Sequence, residues 1–433
     1  MTFRKGNNVK RSMTALRLFA VAAAMLAGCS SSHGSLTPHP ASSTLSPTSA
    51  ATAPAEPVAA PGVEAEIGDV PWSKVGAGWT LAMWNPVTPT RPGEAPAPNQ
   101  PTRDAATTTL YLVDPQGNRY SITTFGPGGE PELIDWSGDG SHALIEAQGY
   151  RSPAVVSVDL HTGAQTTIPV KGYARYARSD AKALLVSTDN GVDEPAMLTR
   201  VDLSGHEQQS YPVDSSIGAG HFNGHYLQSP DGTRLVLGTT TIGSRGATTS
   251  ASDMVIMNSS DGKLIRTLPA PMPDAECEPV RWWTPTVILA HCGNNAGKQL
   301  WKVPVDGGAA TALTAVNSSQ QDDPGFGGDL DDGVAFQLPS GTFLQSQGAC
   351  GSIFLSRLTP DMHTRRVHIP GVSDSVQLVG ATGDMLLLLA KVGCGGTTSL
   401  LTYDPAANTS TVLLGPPVNG GGVSSARLYP GQE

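Results

Sequence analysis

Cysteine, histidine and aspartate are the residue types in this sequence whose spacing suggests chemistry. Cysteines stand at Cys29, Cys277, Cys292, Cys350 and Cys394. His221 and His225 are four apart, the spacing of a metal pair on a helix. Asn223-Gly224 lies between them, so a turn is the reading adopted. Asp322, Asp323, Asp329, Asp331 and Asp332 crowd a glycine-rich stretch. A calcium loop alternates its ligands and places glycine sixth; Gly333 falls one place early, where a ligand is needed. The stretch is therefore expected to be a solvated loop, with weak Ca²⁺ binding as the alternative and no other cofactor or metal. The G-x-S-x-G elbow, H-E-x-x-H and the P-loop pattern are all absent. No catalytic residue is therefore assigned, although carboxylate pairs that cleave glycosides are set by distance in space.

The 433 residues carry a net charge of -10, with 49 glycines and 35 prolines. That balance argues against a nucleic-acid binder with a basic face. Residues 1–28 hold Arg4, Lys5, Lys10, Arg11 and Arg17 and no acid, so the rest is more acidic still. A basic start, the apolar run Leu18 to Leu26 and small residues before Cys29 form the three regions of an export signal. The apolar run is too short to span a bilayer. Leu26-Ala27-Gly28-Cys29 resembles the bacterial lipobox. That resemblance implies cleavage before Cys29, a diacylglycerol thioether on its sulfur, and an anchor on the outer face of the plasma membrane. Ser30 to Pro61 is almost all Ser, Thr, Ala and Pro, and is read as an unfolded tether. It would span roughly 30 Å as a coil and about 100 Å as polyproline II. The expected division is a signal (1–28), a lipidated tether (29–61) and one folded domain (62–433).

In the folded domain short β-rich runs alternate with Gly, Pro, Asp and Asn clusters. An apolar-x-apolar-Asp element recurs, as in Leu110 to Asp114, Val155 to Asp159, Leu198 to Asp202 and Leu400 to Asp404. Weaker copies end at Asn258, Pro304 and Thr359, and the steps between successive endings are 45, 43, 56, 46, 55 and 45 residues. Seven copies near that period predict an all-β propeller of seven four-stranded blades, with six or eight as alternatives. Turns precede the second strands at Trp136 to Gly140, Ser229 to Gly232, Ser179-Asp180 and Gly383-Asp384. Val423 to Tyr429 reads as a lone first strand that closes the ring in blade one, removing the open edge of the array.

Ser229-Pro230-Asp231-Gly232 is similar to the blade turn of TolB-type β-propellers, and Trp72 to Trp79 resembles the start of uncharacterised actinobacterial propeller lipoproteins. Neither resemblance implies an activity. Four cysteines after Cys29 in an exported chain predict two disulfides. A first hairpin of blade five turning at Thr284-Pro285 sets Cys277 opposite Cys292. Cys350 and Cys394 occupy equivalent places in blades six and seven, so they form the second expected pair. Zinc is disfavoured, because there is no C-x-x-C pair and no histidine pair of ligand spacing near the cysteines. Of the seven tryptophans, Trp282 and Trp283 are adjacent on a strand and must face opposite ways.

Insertions at Asn85 to Ala106, Thr240 to Asp253 and Pro339 to Gly348 are read as connections between second and third strands, on one face of the ring. That face is the expected contact surface. Three functions compete: a non-catalytic scaffold binding an envelope protein or glycan, a glycan hydrolase or lyase at the channel, and a small-ligand or Ca²⁺ sensor. The first is preferred. The membrane is reached through the lipid on Cys29, and no nucleic-acid partner is expected.

Overall fold

The computed structural model describes residues 57–430 apart from 89–99, 103, 147–153, 179–180, 189–195, 214–219, 241–251, 318–328, 349–352 and 393–396. These residues form seven antiparallel blades and no α-helix. The chain enters through β1 (Val58–Ala59) and β2 (Glu64–Glu66), then gives blade one β3 (Thr80–Asn85), β4 (Thr108–Val113) and β5 (Arg119–Phe125). Blade two is β6 (Glu132–Trp136), β7 (His142–Glu146), β8 (Ala154–Asp159) and β9 (Gln165–Pro169). Blade three is β10 (Tyr173–Tyr176), β11 (Ala183–Thr188), β12 (Met197–Asp202) and β13 (Glu207–Ser210). Blade four is β14 (His221–Gln228), β15 (Arg234–Thr240), β16 (Met254–Asn258) and β17 (Leu264–Leu268). Blade five is β18 (Glu276–Thr284), β19 (Val287–Asn294), β20 (Gly297–Pro304) and β21 (Thr311–Ala312). Blade six is β22 (Asp329–Leu338), β23 (Gly341–Gln347), β24 (Ile353–Leu358) and β25 (Thr364–Arg366). Blade seven is β26 (Val372–Thr382), β27 (Met385–Val392), β28 (Thr398–Asp404) and β29 (Thr409–Leu414). The last strand, β30 (Gly422–Leu428), returns to blade one. Every third strand ends within one residue of the end of the repeated apolar-Asp element or its weaker copy.

The first hairpin of a blade is built by local chemistry. In blade two the Ser137 hydroxyl donates to Asp139 (2.7 Å) and accepts from the backbone N–H of His142 (2.8 Å). The Ser141 backbone N–H and hydroxyl also donate to Asp139, at 3.0 and 2.7 Å. Blade four repeats the arrangement with Ser229, Asp231, Thr233 and Arg234. Gly140 and Gly232 follow at φ 75° and 71°, a backbone region that disfavours any side chain. Serine, aspartate and glycine are thus each required by the turn, which is why it could be read from sequence.

Blades are held together by strands buried on both faces. Leu386 to Ala390 of β27 are all buried. Strand alternation sends Leu386, Leu388 and Ala390 against Phe336, Phe343 and Leu355 of blade six. Leu387 and Leu389 go the other way, against Tyr111, Val113 and Leu428 of blade one. Burying one such leucine contributes roughly 1.5–3 kcal/mol. Trp282 and Trp283 obey the same rule: the first packs with blade four, the second toward blade six.

Ring closure has two parts. On the inner edge β30 pairs with β3, Thr80 opposite Leu428 and Ala82 opposite Ala426. On the outer edge β1 lies parallel to β29 and β2 parallel to β5, so one short segment straps blades seven and one. The inner part follows the sequence reading; the strap is additional. Among the described residues the first strand is β1, inside the stretch read as tether, and Ala60 is buried.

Three further readings are corrected. Pro339 to Gly348 is not an insertion: Pro339-Ser340 is a tight turn and β23 follows. His221 to His225 lies within β14, whose register against β15 is irregular, rather than at a hairpin turn. Gly224, at φ 98°, provides the kink that Asn223-Gly224 had suggested. Asp329, Asp331 and Asp332 belong to the backbone of β22 rather than a loop, while Asp322 and Asp323 lie outside the described residues.

Candidate functional site: an arginine-lined cavity on the propeller axis

The innermost strands of the seven blades, β30, β6, β10, β14, β18, β22 and β26, surround one cavity of ≈ 360 Å³. A lining drawn from all seven blades places it on the propeller axis. Its residues sit in the second half of these strands or just after them, with Pro230 in a first-hairpin turn. The cavity therefore lies toward the face of the first-hairpin turns. The connections from second to third strands are on the other face.

Charge is concentrated here. Arg175 and Arg178 enter from blade three, Arg281 from blade five and Arg427 from blade one; Asp135 is the one acidic lining residue among those described. Among the described lining residues, then, four carry a guanidinium group and one a carboxylate. Arg175 is exposed, and the other three arginines are half-buried. Arg281 donates from Nη1 to the Ala335 carbonyl (2.8 Å), and its guanidinium lies 3.9 Å from the Phe336 ring centre. The Arg427 guanidinium donates to the carbonyls of Ile134 (3.3 Å) and Ala426 (3.0 Å). These carbonyls and the ring face fix the planes of the two groups.

Buried polar side chains stitch this wall from blade to blade. Asp135 Oδ2 accepts the backbone N–H of Tyr176 (2.7 Å), and Gln228 Oε1 accepts that of Arg178 (2.5 Å). The Trp282 indole donates to the Gln228 carbonyl (2.9 Å). Between blades six and seven, Gln345 Oε1 accepts from the Leu378 N–H (2.6 Å) while its amide donates to Val376 O (3.1 Å). Such cross-blade bonds make the wall rigid, because each would leave a buried polar group unsatisfied if broken.

The two lining tyrosines are structural. The Tyr176 hydroxyl meets Ser157 (2.7 Å) and donates to the Ala143 carbonyl (3.1 Å); that of Tyr226 donates to the Leu185 carbonyl (3.1 Å). Burial pushes both phenols well above their ordinary value, so neither ionises near neutral pH. Among the described lining residues there is one carboxylate and no histidine, so these residues supply no carboxylate pair or carboxylate–histidine pair.

Of the candidate residues read from sequence, Cys277 and Cys292 meet as expected in a disulfide between β18 and β19. The hairpin turns at Pro285-Thr286, one residue later than expected. Two register shifts in β18 then restore the pairing of the cysteines. Cys29, Cys350 and Cys394 lie outside the described residues, and so does most of the loop face, including 89–99 and 241–251. His225 Nε2 stands 3.4 Å from Glu278 Oε1. Among the described residues no three His, Cys, Asp or Glu side chains gather as a metal site. The four channel arginines were not picked out from sequence. Their only signal is position: each lies in or just beyond a first strand, close to a hairpin turn.

No protein-family model matches the chain, and no curated protein matches its sequence. Solved structures do share the architecture. An oligogalacturonate lyase from Vibrio parahaemolyticus aligns with a TM-score of 0.46 and 13% identity, over 78% of this chain and 86% of that one. A puromycin-hydrolysing peptidase from Mycobacterium tuberculosis aligns at 0.43 and 12%, over 84% and 56%. Prolyl oligopeptidase B from Galerina marginata aligns at 0.45 and 10%, over 78% and 49%, so this chain spans about half the length of these two peptidases. Likenesses this distant carry no activity across.

Proposed function

We propose that the chain is a lipid-anchored, extracytoplasmic β-propeller that acts by binding, as a non-catalytic receptor or scaffold of the cell envelope. The observation that carries the binding role is the axial cavity: charged, rigidly walled, and without an acid–base pair among its described lining residues. Export is supported by the signal-like residues 1–28 and by the Cys277–Cys292 disulfide, a bond favoured in oxidising compartments. Anchoring rests on Leu26-Ala27-Gly28-Cys29, and the Ser/Thr/Ala/Pro tether would hold the ring clear of the lipid surface. A partner would be met either at the channel mouth or through the connections of the opposite face.

The test is cell fractionation with in-cell cross-linking of the tagged chain and its Cys29→Ser variant. The tagged chain is expected in the membrane fraction, cross-linked reproducibly to an envelope component, and the variant in the soluble fraction. Equal partition of the two would overturn the anchor. No cross-link above the variant's background would overturn the scaffold role.

A further inference from the structure

The outer turn of blade six departs from those of the other blades. In every blade the turn from third to fourth strand holds one residue in the left-handed region. In blades one to five it is glycine: Gly117, Gly163, Gly205, Gly262 and Gly307, at φ from 68° to 87°. In blade seven it is Asn408, at φ 53°. In blade six it is Met362, at φ 65°. The Met362 N–H donates to the Thr359 carbonyl (2.9 Å), as that of Gly307 does to Pro304 (3.3 Å), so the positions are equivalent. Glycine holds this conformation without strain and asparagine tolerates it, whereas a long apolar side chain is disfavoured. Met362 is also 43% exposed, so burial does not offset the strain. Strain retained at an exposed apolar residue marks a task outside the fold.

The surroundings say what that task is. Val316, also exposed, lies beside the turn, because the Ala315 N–H donates to the Met362 carbonyl (2.8 Å). On the strands that flank the turn, Arg357 and Arg365 stand directly opposite each other, and both are exposed. Like charges so placed disfavour the strand pairing. Arg357 lies over the Phe343 ring (5.8 Å) and donates to the Ser340 carbonyl, which fixes its direction. Neither arginine is ion-paired with a described carboxylate. The nearest acid in the turn is the exposed Asp361, held low first by the Thr359 hydroxyl and in smaller part by His363 and Arg365. β25 alone among the seven fourth strands carries two basic residues, in a chain of net charge -10. Exposed apolar side chains flanked by arginine suit a layer of anionic lipid headgroups: the former enter the acyl boundary and the latter meet phosphates. Position agrees with this. The described chain starts at Pro57 and runs, through β1, along the outer edge of blade seven, which packs against blade six. From Pro57 back to Cys29 a coil would span roughly 30 Å, so a bilayer holding Cys29 is within reach of this rim.

We propose that the outer turn of blade six, with Met362 at its tip, docks the propeller on the anionic lipid headgroups of the membrane and so sets the orientation of the ring. The inference rests on the reading of an anchored envelope protein, and its test removes the anchor.

Vesicle flotation of the full chain, exported as Cys29→Ser, tests this with phosphatidylcholine alone and phosphatidylcholine mixed with phosphatidylglycerol. Binding to the mixed vesicles is expected at low salt, with little on neutral vesicles and a steep loss as salt rises. Arg365→Gln should weaken it about fivefold, the factor that about 1 kcal/mol per arginine near an anionic surface gives. Arg266→Gln, at an exposed arginine on β17 of blade four, should leave it unchanged. Met362→Gly relieves the strained backbone and removes the apolar tip. Its unfolding temperature is expected to hold or rise while vesicle binding falls about threefold, opposite directions that a structural role alone would not produce. No preference for anionic vesicles, or parent-like binding by either Arg365→Gln or Met362→Gly, would overturn the assignment. Release of the bound chain by glycerol 3-phosphate, at the concentration of the vesicle phosphate, would overturn its lipid part in favour of a soluble phosphate ligand. A chain that floats with anionic vesicles yet partitions like its Cys29→Ser variant in cells would refute the anchor and leave the docking turn standing.

Discussion

His291 offers a quantitative test of how blade five is packed. It lies on β19 next to Cys292, opposite Glu278 of β18, and its Nε2 is buried without a hydrogen-bond partner. Burial, and then the nearby Lys298, lower its pKa from 6.5 to about 4. Below pH 6.5 the unfolded chain takes up a proton that the folded chain refuses, so stability falls as pH falls, and the loss levels off below about 4. Linkage puts the loss at about 2 kcal/mol between pH 7 and pH 5, and about 3 kcal/mol once the effect saturates. Carboxylates such as Asp231, held low first by the Ser229 hydroxyl and then by the Thr233 N–H, lose their contribution at lower pH, as it falls through their depressed values. From pH 6.5 to 5 the difference between the parent chain and a variant without His291 therefore isolates the histidine. Urea unfolding followed by tryptophan fluorescence at pH 7, 6 and 5 would measure the slope for the parent chain and for His291→Asn. The variant is expected to be less stable at pH 7 but nearly flat across the interval. Parallel slopes in the two proteins would refute the argument that His291 is buried neutral.

Replacing both Cys277 and Cys292 by alanine releases a cross-link of sequence separation 15, and is expected to lower unfolding free energy by about 3 kcal/mol in urea titrations. Asp231→Asn removes the acceptor that organises the blade-four turn, and about 1 kcal/mol of stability should go with it, read as a lower urea midpoint at unchanged slope. Gly62→Ala would put its Cβ 2.1 Å from the Gly117 carbonyl carbon, so the strap must lift from blade one. A loss of about 1–3 kcal/mol is expected, with faster proteolysis before residue 66 than in the parent chain.

Much of the propeller is legible because its rules are local. The Ser-x-Asp-Gly turn needs its residue types within a few positions, and the third strands announce themselves by apolar runs that end at an aspartate or a similar turn residue. The cysteine pairing was legible for the same reason, since Cys277 and Cys292 share one hairpin. What was missed is non-local. The strap pairs Glu64 with Arg119 and Val58 with Thr411, and two- or three-residue parallel strands leave almost no pattern in sequence. The channel arginines come from positions as far apart as 175 and 427, and only the closed ring brings them to one axis. Pro339 to Gly348 misled because the polar, glycine-containing run Gly341–Gln347 reads like a loop, although its Phe343 and Leu344 are core residues.

The most direct test of the central claim, an anchored envelope binder, is membrane fractionation with in-cell cross-linking of the tagged chain beside its Cys29→Ser variant. The account predicts the parent chain in the membrane fraction, cross-linked reproducibly to one envelope component, and the variant in the soluble fraction. Equal partition of the two chains, or no cross-link above the variant's background, would contradict it.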